Sequence, residues 1–251
     1  MTTVFLAWQN AETRRWFPIG QLQQQADVFE FRYLQGVSLA QELGGFTPLP
    51  EFQKLSATYR SETLFPLFAN RVMPASRPDF AEYISWLRLE GQEKDPLAFL
   101  AQTNGLRQTD TLEVFSDIEP TSEGGWKTKF FIHGLRHMSP GASSRAESLE
   151  VGEQLRLFLD IQNPVDEKAV GLRTYAKSSG DMMPLGYCPR YLGEAVFASL
   201  LQDPKSVVTT VLAINPPPVP SQYRVLCEIS FQPGSVFPFS GPEFRPFAGI
   251  A

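Results

Sequence analysis

The sequence predicts an α+β fold in two domains: a mixed α+β domain, then a small β-barrel that carries one short helix. The length of 251 residues is enough for two domains of ordinary size. Hydrophobic residues make up 43% of the chain and charged residues 20%, which is typical of a protein that buries a core. The 21 prolines and 20 phenylalanines favour short strands, tight turns and aromatic packing over long helices.

The first half carries strand signals before it carries helix signals. Short runs rich in β-branched and aromatic residues predict strands over residues 3–8, 15–22 and 28–34. Ser76 and Asp79 have the spacing of a capping box, and apolar residues recur at helical spacing over 80–87, before a stop at Gly91. These apolar stripes are interpreted as core.

A second helix is predicted from Asp95, with Pro96 at its first position, to Asn104-Gly105. The polar, glycine-containing stretch 118–125 then predicts a domain boundary. We therefore expect an interaction domain over 1–120, a barrel over 126–232 and a Pro/Phe-rich tail over 233–251, which either packs across a domain or extends into solvent.

Beyond the boundary the apolar pattern changes to a period of two. Pro189 opens a predicted helix with one apolar face. Around it, strands are predicted over 129–137, 154–162, 170–175, 182–188, 206–214 and 223–231. Six short strands and one helix in about 110 residues suggest a small barrel.

Charge argues against a broadly basic nucleic-acid-binding surface. The net charge is −5. Residues 1–120 contain ten basic and fifteen acidic residues, whereas residues 121–232 contain eleven of each. Phosphate binding in the second half would therefore be local and modest.

The composition also predicts a cytoplasmic protein. The N-terminal apolar run is too short for a signal peptide, and no stretch approaches the roughly 18 apolar residues of a membrane span. Cys188 and Cys227 are too few for a disulfide framework, so both are expected to be buried free thiols in a reducing compartment.

The common catalytic motifs are absent from the sequence, including those of serine hydrolases, P-loop nucleotide-binding proteins and zinc proteases. His133 and His137 are four residues apart, which suits a metal site on a helix, but their flanks are strand-like. We therefore expect no enzyme activity, no cofactor and no bound metal.

One polar cluster leaves three interpretations open: Asp160, Asp166, Glu167 and Lys168 lie in LDIQNPVDEKAV. The run from Asn163 is typical of a turn in which Asx side chains bond their own backbone. The same loop could bind a ligand. An acidic pair beside a lysine is also what a Mg²⁺-dependent nuclease uses.

Three motifs in the second half carry a family resemblance. GLRH (134–137), QNPVDEKAV (162–170) and PLGYCPRYLGEAV (184–196) follow in the order and spacing of the HIRAN domain, over about residues 127–231. The resemblance implies a β-barrel similar to the OB-fold or an SH3-like barrel. It also implies binding of single-stranded DNA at a free 3′ end.

The resemblance assigns roles residue by residue. Arg136 matches an arginine that contacts DNA, and Arg190 falls where a basic residue faces a phosphate. Asn163 and Asp166 match a pair that holds the terminal nucleotide and its 3′-hydroxyl.

Two positions depart from the family pattern. His137 and Val165 stand where the family has tyrosines that stack on bases, and stacking contributes about 1–3 kcal/mol per base. Tyr187, Tyr191 and Tyr175 could supply stacking from elsewhere.

The first half resembles the N-terminal domain of HipA-type kinases. FEFRYL, TLFPLFANRVMPASRPDFAEYISWLRL and DPLAFLAQTNG carry the resemblance, although Met73-Pro74-Ala75 stands where that family has leucine, proline and an acidic residue. No kinase half follows. The resemblance implies an interaction module with a protein partner, not a kinase.

Together these observations predict a non-enzymatic protein that binds single-stranded DNA or a DNA 3′ end. The alternative is a protein–protein adaptor whose barrel groove binds a peptide, and the third hypothesis is a metal-dependent nuclease. A basic, aromatic groove would favour DNA, an apolar groove a peptide, and a close carboxylate pair the nuclease.

Overall fold

The computed structural model describes residues 2–166, 168–175 and 182–248. The chain divides into two units, one of Met1–Asp117 with Phe239–Ala251, the other of Ile118–Pro238. Each unit contains an antiparallel sheet together with helices, which confirms the α+β class.

The first unit is built on a five-stranded sheet with the order β4-β3-β2-β1-β5. Its strands are β1 (Thr2–Gln9), β2 (Trp16–Gln25), β3 (Val28–Tyr33), β4 (Thr58–Ser61) and β5 (Leu112–Ser116). Its helices are α1 (Gly36–Gly44), α2 (Pro66–Ala69), α3 (Phe80–Leu87) and α4 (Pro96–Thr103). The three predicted strands are confirmed as β1, β2 and β3.

The two predicted helices of this unit differ in how they begin. At α4, Asp95 Oδ1 accepts hydrogen bonds from the backbone N–H groups of Leu97 and Ala98, at 2.9 and 3.1 Å, as predicted. At α3 the predicted capping box is wrong. Asp79 caps no backbone N–H with its side chain, because the Arg77 guanidinium binds both carboxylate oxygens at 2.9 and 2.8 Å.

A cluster of buried aromatic rings forms the core of the first unit. Phe31 stacks on Phe52 with ring centroids 4.1 Å apart. The buried Tyr33 hydroxyl donates to Phe52 O at 2.9 Å and accepts from Leu49 N at 2.8 Å. Burial raises the pKa of Tyr33 to about 12. This hydroxyl therefore satisfies two backbone groups of a loop that would otherwise be buried without partners.

The C-terminal segment packs on the first unit. Phe239 contacts the rings of Phe5 and Phe115 at centroid distances of 5.0 and 5.4 Å. Phe247 N donates to Tyr33 O at 2.9 Å, so the C-terminal segment is hydrogen-bonded to the end of β3.

The second unit contains a seven-stranded sheet with the order β10-β9-β8-β11-β12-β7-β6. Its strands are β6 (Glu119–Pro120), β7 (Trp126–Phe131), β8 (Gln154–Leu159), β9 (Val170–Arg173), β10 (Pro184–Tyr187), β11 (Val207–Ile214) and β12 (Val225–Phe231). The predicted barrel needs a correction. Among the described residues no strand ladder closes the sheet, and an isolated bridge between His133 and Tyr187 links β10 to the segment after β7.

The helices of the second unit are α5 (Pro140–Glu147) and α6 (Arg190–Gln202). The prediction of a single helix missed α5, which Ser139 caps by accepting from Ala142 N at 3.3 Å. The predicted strand 129–137 is also too long. Its ladder ends at Phe131, and residues Leu135–His137 form a 3-10 helix after Gly134, whose φ is 76°.

Cys188 and Cys227 are both buried free thiols, as predicted. Desolvation raises the pKa of each thiol well above its ordinary value. Within the described part of the chain, no helix has both the length and the apolar character needed to cross a membrane.

Candidate nucleic-acid interface

Tyr187, at the end of β10, connects three chain segments. Its backbone exchanges two hydrogen bonds with His133, at 3.0 and 2.9 Å. Its hydroxyl donates to Asp160 Oδ2 at 2.9 Å. Desolvation and this hydrogen bond raise the pKa of Tyr187. Tyr187 therefore joins strand β10 to the segment after β7 through its backbone and to the loop after β8 through its side chain.

The loop after β8 is an Asx turn, as one of the three interpretations predicted. Asn163 Oδ1 accepts from the N–H groups of Val165 and Asp166 at 3.0 and 3.2 Å. Asn163 Nδ2 donates to Asp160 Oδ2 at 2.9 Å. Asp160 thus joins the turn to Tyr187, a positioning role that the sequence motifs did not assign to it.

Asp166 forms an ion pair with Arg190 at the start of α6. Arg190 Nε lies 3.2 Å from Asp166 Oδ2, and the two side chains are 24% and 22% exposed. Asp166 Oδ1 accepts from Lys168 N at 3.0 Å. Arg190 Nη2 also reaches Val165 O at 3.4 Å. Two of the predicted DNA-binding residues, from separate segments, are therefore in contact and partly exposed.

Arg136 and His137 lie on the exposed 3-10 helix, two and three residues after Gly134 and close in sequence to His133, the backbone partner of Tyr187. Arg136 Nε donates to His137 Nε2 at 2.9 Å. Gly134 packs on Tyr187, because a Cβ built there would lie 3.6 Å from Tyr187 Cδ2. The turn that presents Arg136 is thus anchored to the residue that also holds Asp160.

One known family matches the second half of the chain. The family model of the HIRAN domain matches residues 127–233. This part of the chain is a HIRAN domain. HIRAN domains are associated with nucleic-acid binding. The resemblance of the first half to HipA-type kinases stays a prediction, as does the cytoplasmic location.

Two solved structures are similar to the chain. A protein from Lactobacillus plantarum has 17% identity, with 43% of this chain and 97% of that chain covered at a TM-score of 0.32. The HIRAN domain of human HLTF has 14% identity, with 42% and 74% covered at a TM-score of 0.30. No curated protein matches the chain.

Three aromatic or imidazole groups of the HIRAN domain differ in what they offer a ligand. Tyr191 is 6% exposed on α6, so its ring is part of the core and its predicted stacking role does not fit this structure. Tyr175 is 49% exposed. Burial lowers the pKa of His133 to about 4, so this imidazole is neutral near pH 7 and contributes no positive charge to the interface.

Two carboxylates of the nuclease hypothesis, those of Asp160 and Asp166, accept hydrogen bonds within the protein. Asp160 is held by Tyr187 and Asn163, and Asp166 by Arg190 and the Lys168 N–H. Among the described residues, no three His, Cys, Asp or Glu side chains lie close enough to hold a metal. Glu167, part of the nuclease hypothesis, lies outside the described residues.

Proposed function

We propose that the HIRAN domain binds single-stranded DNA and recognises a free 3′ end. The contact between Asp166 and Arg190, two partly exposed side chains beside the Asx turn, supports this proposal best. In it Arg136 and Arg190 bind phosphates, Asn163 hydrogen-bonds sugar or base, and Asp166 accepts a hydrogen bond from the 3′-hydroxyl.

The ion pair explains how a carboxylate fits in a phosphate-binding site. An unpaired carboxylate would repel DNA, but Arg190 neutralises Asp166 at 3.2 Å. A carboxylate has about four acceptor positions, and the Lys168 N–H and Arg190 use only part of them. Asp166 therefore keeps the capacity to accept a hydrogen bond from a hydroxyl group.

We propose further that the domain binds DNA without cleaving it. A Mg²⁺-dependent nuclease holds the metal with carboxylates that converge on one point, whereas in the part of the chain that the structure describes no three His, Cys, Asp or Glu side chains lie close together. No hydrolysis is expected with Mg²⁺ or Mn²⁺. Cleavage that is lost in Asp166→Ala but kept in Lys127→Ala would contradict this expectation.

A peptide is the second candidate ligand, because Ile161 and Val165 are exposed apolar side chains on the same loop. In that case the domain is an adaptor. Its affinity for an apolar peptide would depend on Val165 and Ile161, whereas its affinity for DNA would depend on Arg136 and Arg190.

The test is fluorescence anisotropy with labelled strands that end in a 3′-hydroxyl or a 3′-phosphate, at two salt concentrations. Asp166→Ala should weaken 3′-hydroxyl strands selectively, by about 1–2 kcal/mol for one lost charge-assisted hydrogen bond. Arg136→Ala and Arg190→Ala should weaken both strands and lower the salt slope by about 0.7 each.

Lys127→Ala is the matched control. Lys127 also forms an ion pair, with Glu228 at 3.4 Å. It lies near the start of β7, six residues before His133, which corresponds to roughly 20 Å along a strand. The substitution should leave both affinities unchanged. Equal effects of Asp166→Ala on the two strands would contradict end recognition. Absence of binding tighter than roughly 100 µM would favour the adaptor.

A further inference from the structure

Two arginines lie opposite each other on the outer face of strands β8 and β9. Arg156 and Arg173 are direct cross-strand partners in the antiparallel ladder. Their neighbours Leu155 and Leu172 are buried in the core, so alternation places both arginines on the opposite, outer face. Like charges directly opposite each other destabilise a sheet. The pairing therefore lowers stability unless an anion joins it.

The described part of the chain does not neutralise either arginine. Within residues 2–166, 168–175 and 182–248, no ion pair or hydrogen bond engages the side chain of Arg156 or Arg173. Arg173 Nη1 is buried and has no hydrogen-bond partner there. A buried donor of this kind is unfavourable, and an anionic oxygen would satisfy it.

An exposed aromatic ring completes the group. Tyr175 follows Arg173 by two residues, so alternation places it on the same face. The guanidinium carbon of Arg156 lies 5.0 Å from the centroid of the Tyr175 ring. Since the ring is about half exposed, it keeps surface on which a base can stack.

This face continues to the candidate interface. Arg156, Phe158 and Asp160 alternate along one side of the β8 segment, about 13 Å from first to last. Phe158 lies over Gly171, where a Cβ would come within 2.1 Å of Phe158 Cζ. Tyr187, opposite Gly171 in the next ladder, bonds Asp160. The arginine pair and Asp160, which accepts a hydrogen bond from Asn163 of the Asx turn, thus lie on one side of the β8 segment.

We propose that Arg156, Arg173 and Tyr175 form a second nucleic-acid contact, which binds a phosphodiester and a base of a single strand further from its 3′ end. The proposal rests on the proposed function and extends it. Phosphate oxygens bridge the two guanidinium groups, satisfy Arg173 Nη1 and relieve the repulsion between the strands. The binding surface therefore extends along β8 and β9 from the Asx turn.

The experiment compares a labelled dinucleotide with a strand of about eight nucleotides, both with free 3′ ends, on the full chain. Wild type should bind the longer strand more tightly. Arg156→Ala and Arg173→Ala should each lower the salt slope for the longer strand by about 0.7 and leave dinucleotide binding unchanged. Tyr175→Leu should weaken the longer strand about 5- to 150-fold by removing one stacking contact.

Two further variants separate binding from folding. Arg156→Glu places an opposite charge against Arg173, so it should keep or raise Tm while it abolishes the length advantage. Lys127 lies on the third strand from β8, about 14 Å away by strand spacing. Lys127→Ala should therefore change neither Tm nor the tighter binding of the longer strand. A merely structural role for Arg156 would instead lower Tm in Arg156→Glu and overturn the proposal.

The outcomes distinguish this proposal from the function it extends. If wild type binds strands but Arg156→Ala and Arg173→Ala leave the affinity for the longer strand unchanged, the second contact is wrong and the 3′-end site stands. If wild type binds no strand, both are wrong. A polyglutamate peptide is the acidic control ligand. If it binds at least as tightly as the longer strand, and if both arginine variants weaken its binding equally, the pair binds a protein ligand and the proposal is overturned.

Discussion

Acidification should destabilise the HIRAN domain through His133. Burial lowers the pKa of this imidazole from 6.5 to about 4. Because the folded state holds the proton less tightly than the unfolded chain, the neutral form contributes stability that is fully present above pH 6.5. That stability is lost as the pH falls toward about 4. His133→Gln removes the titrating group and should remove this part of the acid dependence.

The magnitude follows from the two pKa values. Each pH unit between them corresponds to about 1.4 kcal/mol, so 6.5 and about 4 give an upper limit of roughly 3 kcal/mol. His133 is partly exposed as a residue, which reduces the effect. We expect wild type to lose about 2 kcal/mol more than His133→Gln between about pH 7 and pH 4.5.

The assay is urea unfolding at both pH values, followed by hydrogen-exchange mass spectrometry of peptides from residues 126–231. The backbone pairing between His133 and Tyr187 reports locally, since protonation should increase exchange there first. His137→Gln, which removes the exposed histidine, is the matched control. Equal acid losses in wild type and His133→Gln would refute the reasoning, because the burial of His133 would then have no thermodynamic consequence.

Four further substitutions test the packing that the structure shows. Tyr33→Phe should cost about 1–2 kcal/mol at neutral pH. The raised pKa of Tyr33 means that the folded state is stabilised below about pH 10 and loses this stability as the pH rises toward about 12. Tyr33→Phe removes the titrating hydroxyl, so it should abolish this loss. Arg71→Met should cost about 3 kcal/mol, because the guanidinium bonds Asp110 Oδ2 at 2.6 Å and two backbone carbonyls; Asp110→Asn should cost less. Gly171→Ala should cost about 1–3 kcal/mol by displacing Phe158. Urea unfolding checks each value, and wild-type stability in any variant would contradict the corresponding contact.

The sequence by itself determined the elements whose signals are local. Strands β1, β2 and β3 follow from β-branched and aromatic runs, and α4 follows from Asp95 and Pro96, because caps and alternation act within a few residues. The motif order that identified the HIRAN domain is also a property of the chain alone. The capping box at Ser76 failed because Arg77 competes for the Asp79 carboxylate, a contact that spacing does not reveal.

Only the tertiary structure decided which polar groups meet. Asp160 and Tyr187 are 27 residues apart, yet their hydrogen bond joins two strands to the Asx turn. Sequence offered Tyr191 and Tyr187 equally as stacking residues, but packing of α6 buries Tyr191. Likewise, Arg156 and Arg173 are unremarkable until strand register sets them opposite each other. Register, burial and contacts between distant segments depend on the folding of the whole sheet, so local pattern cannot specify them.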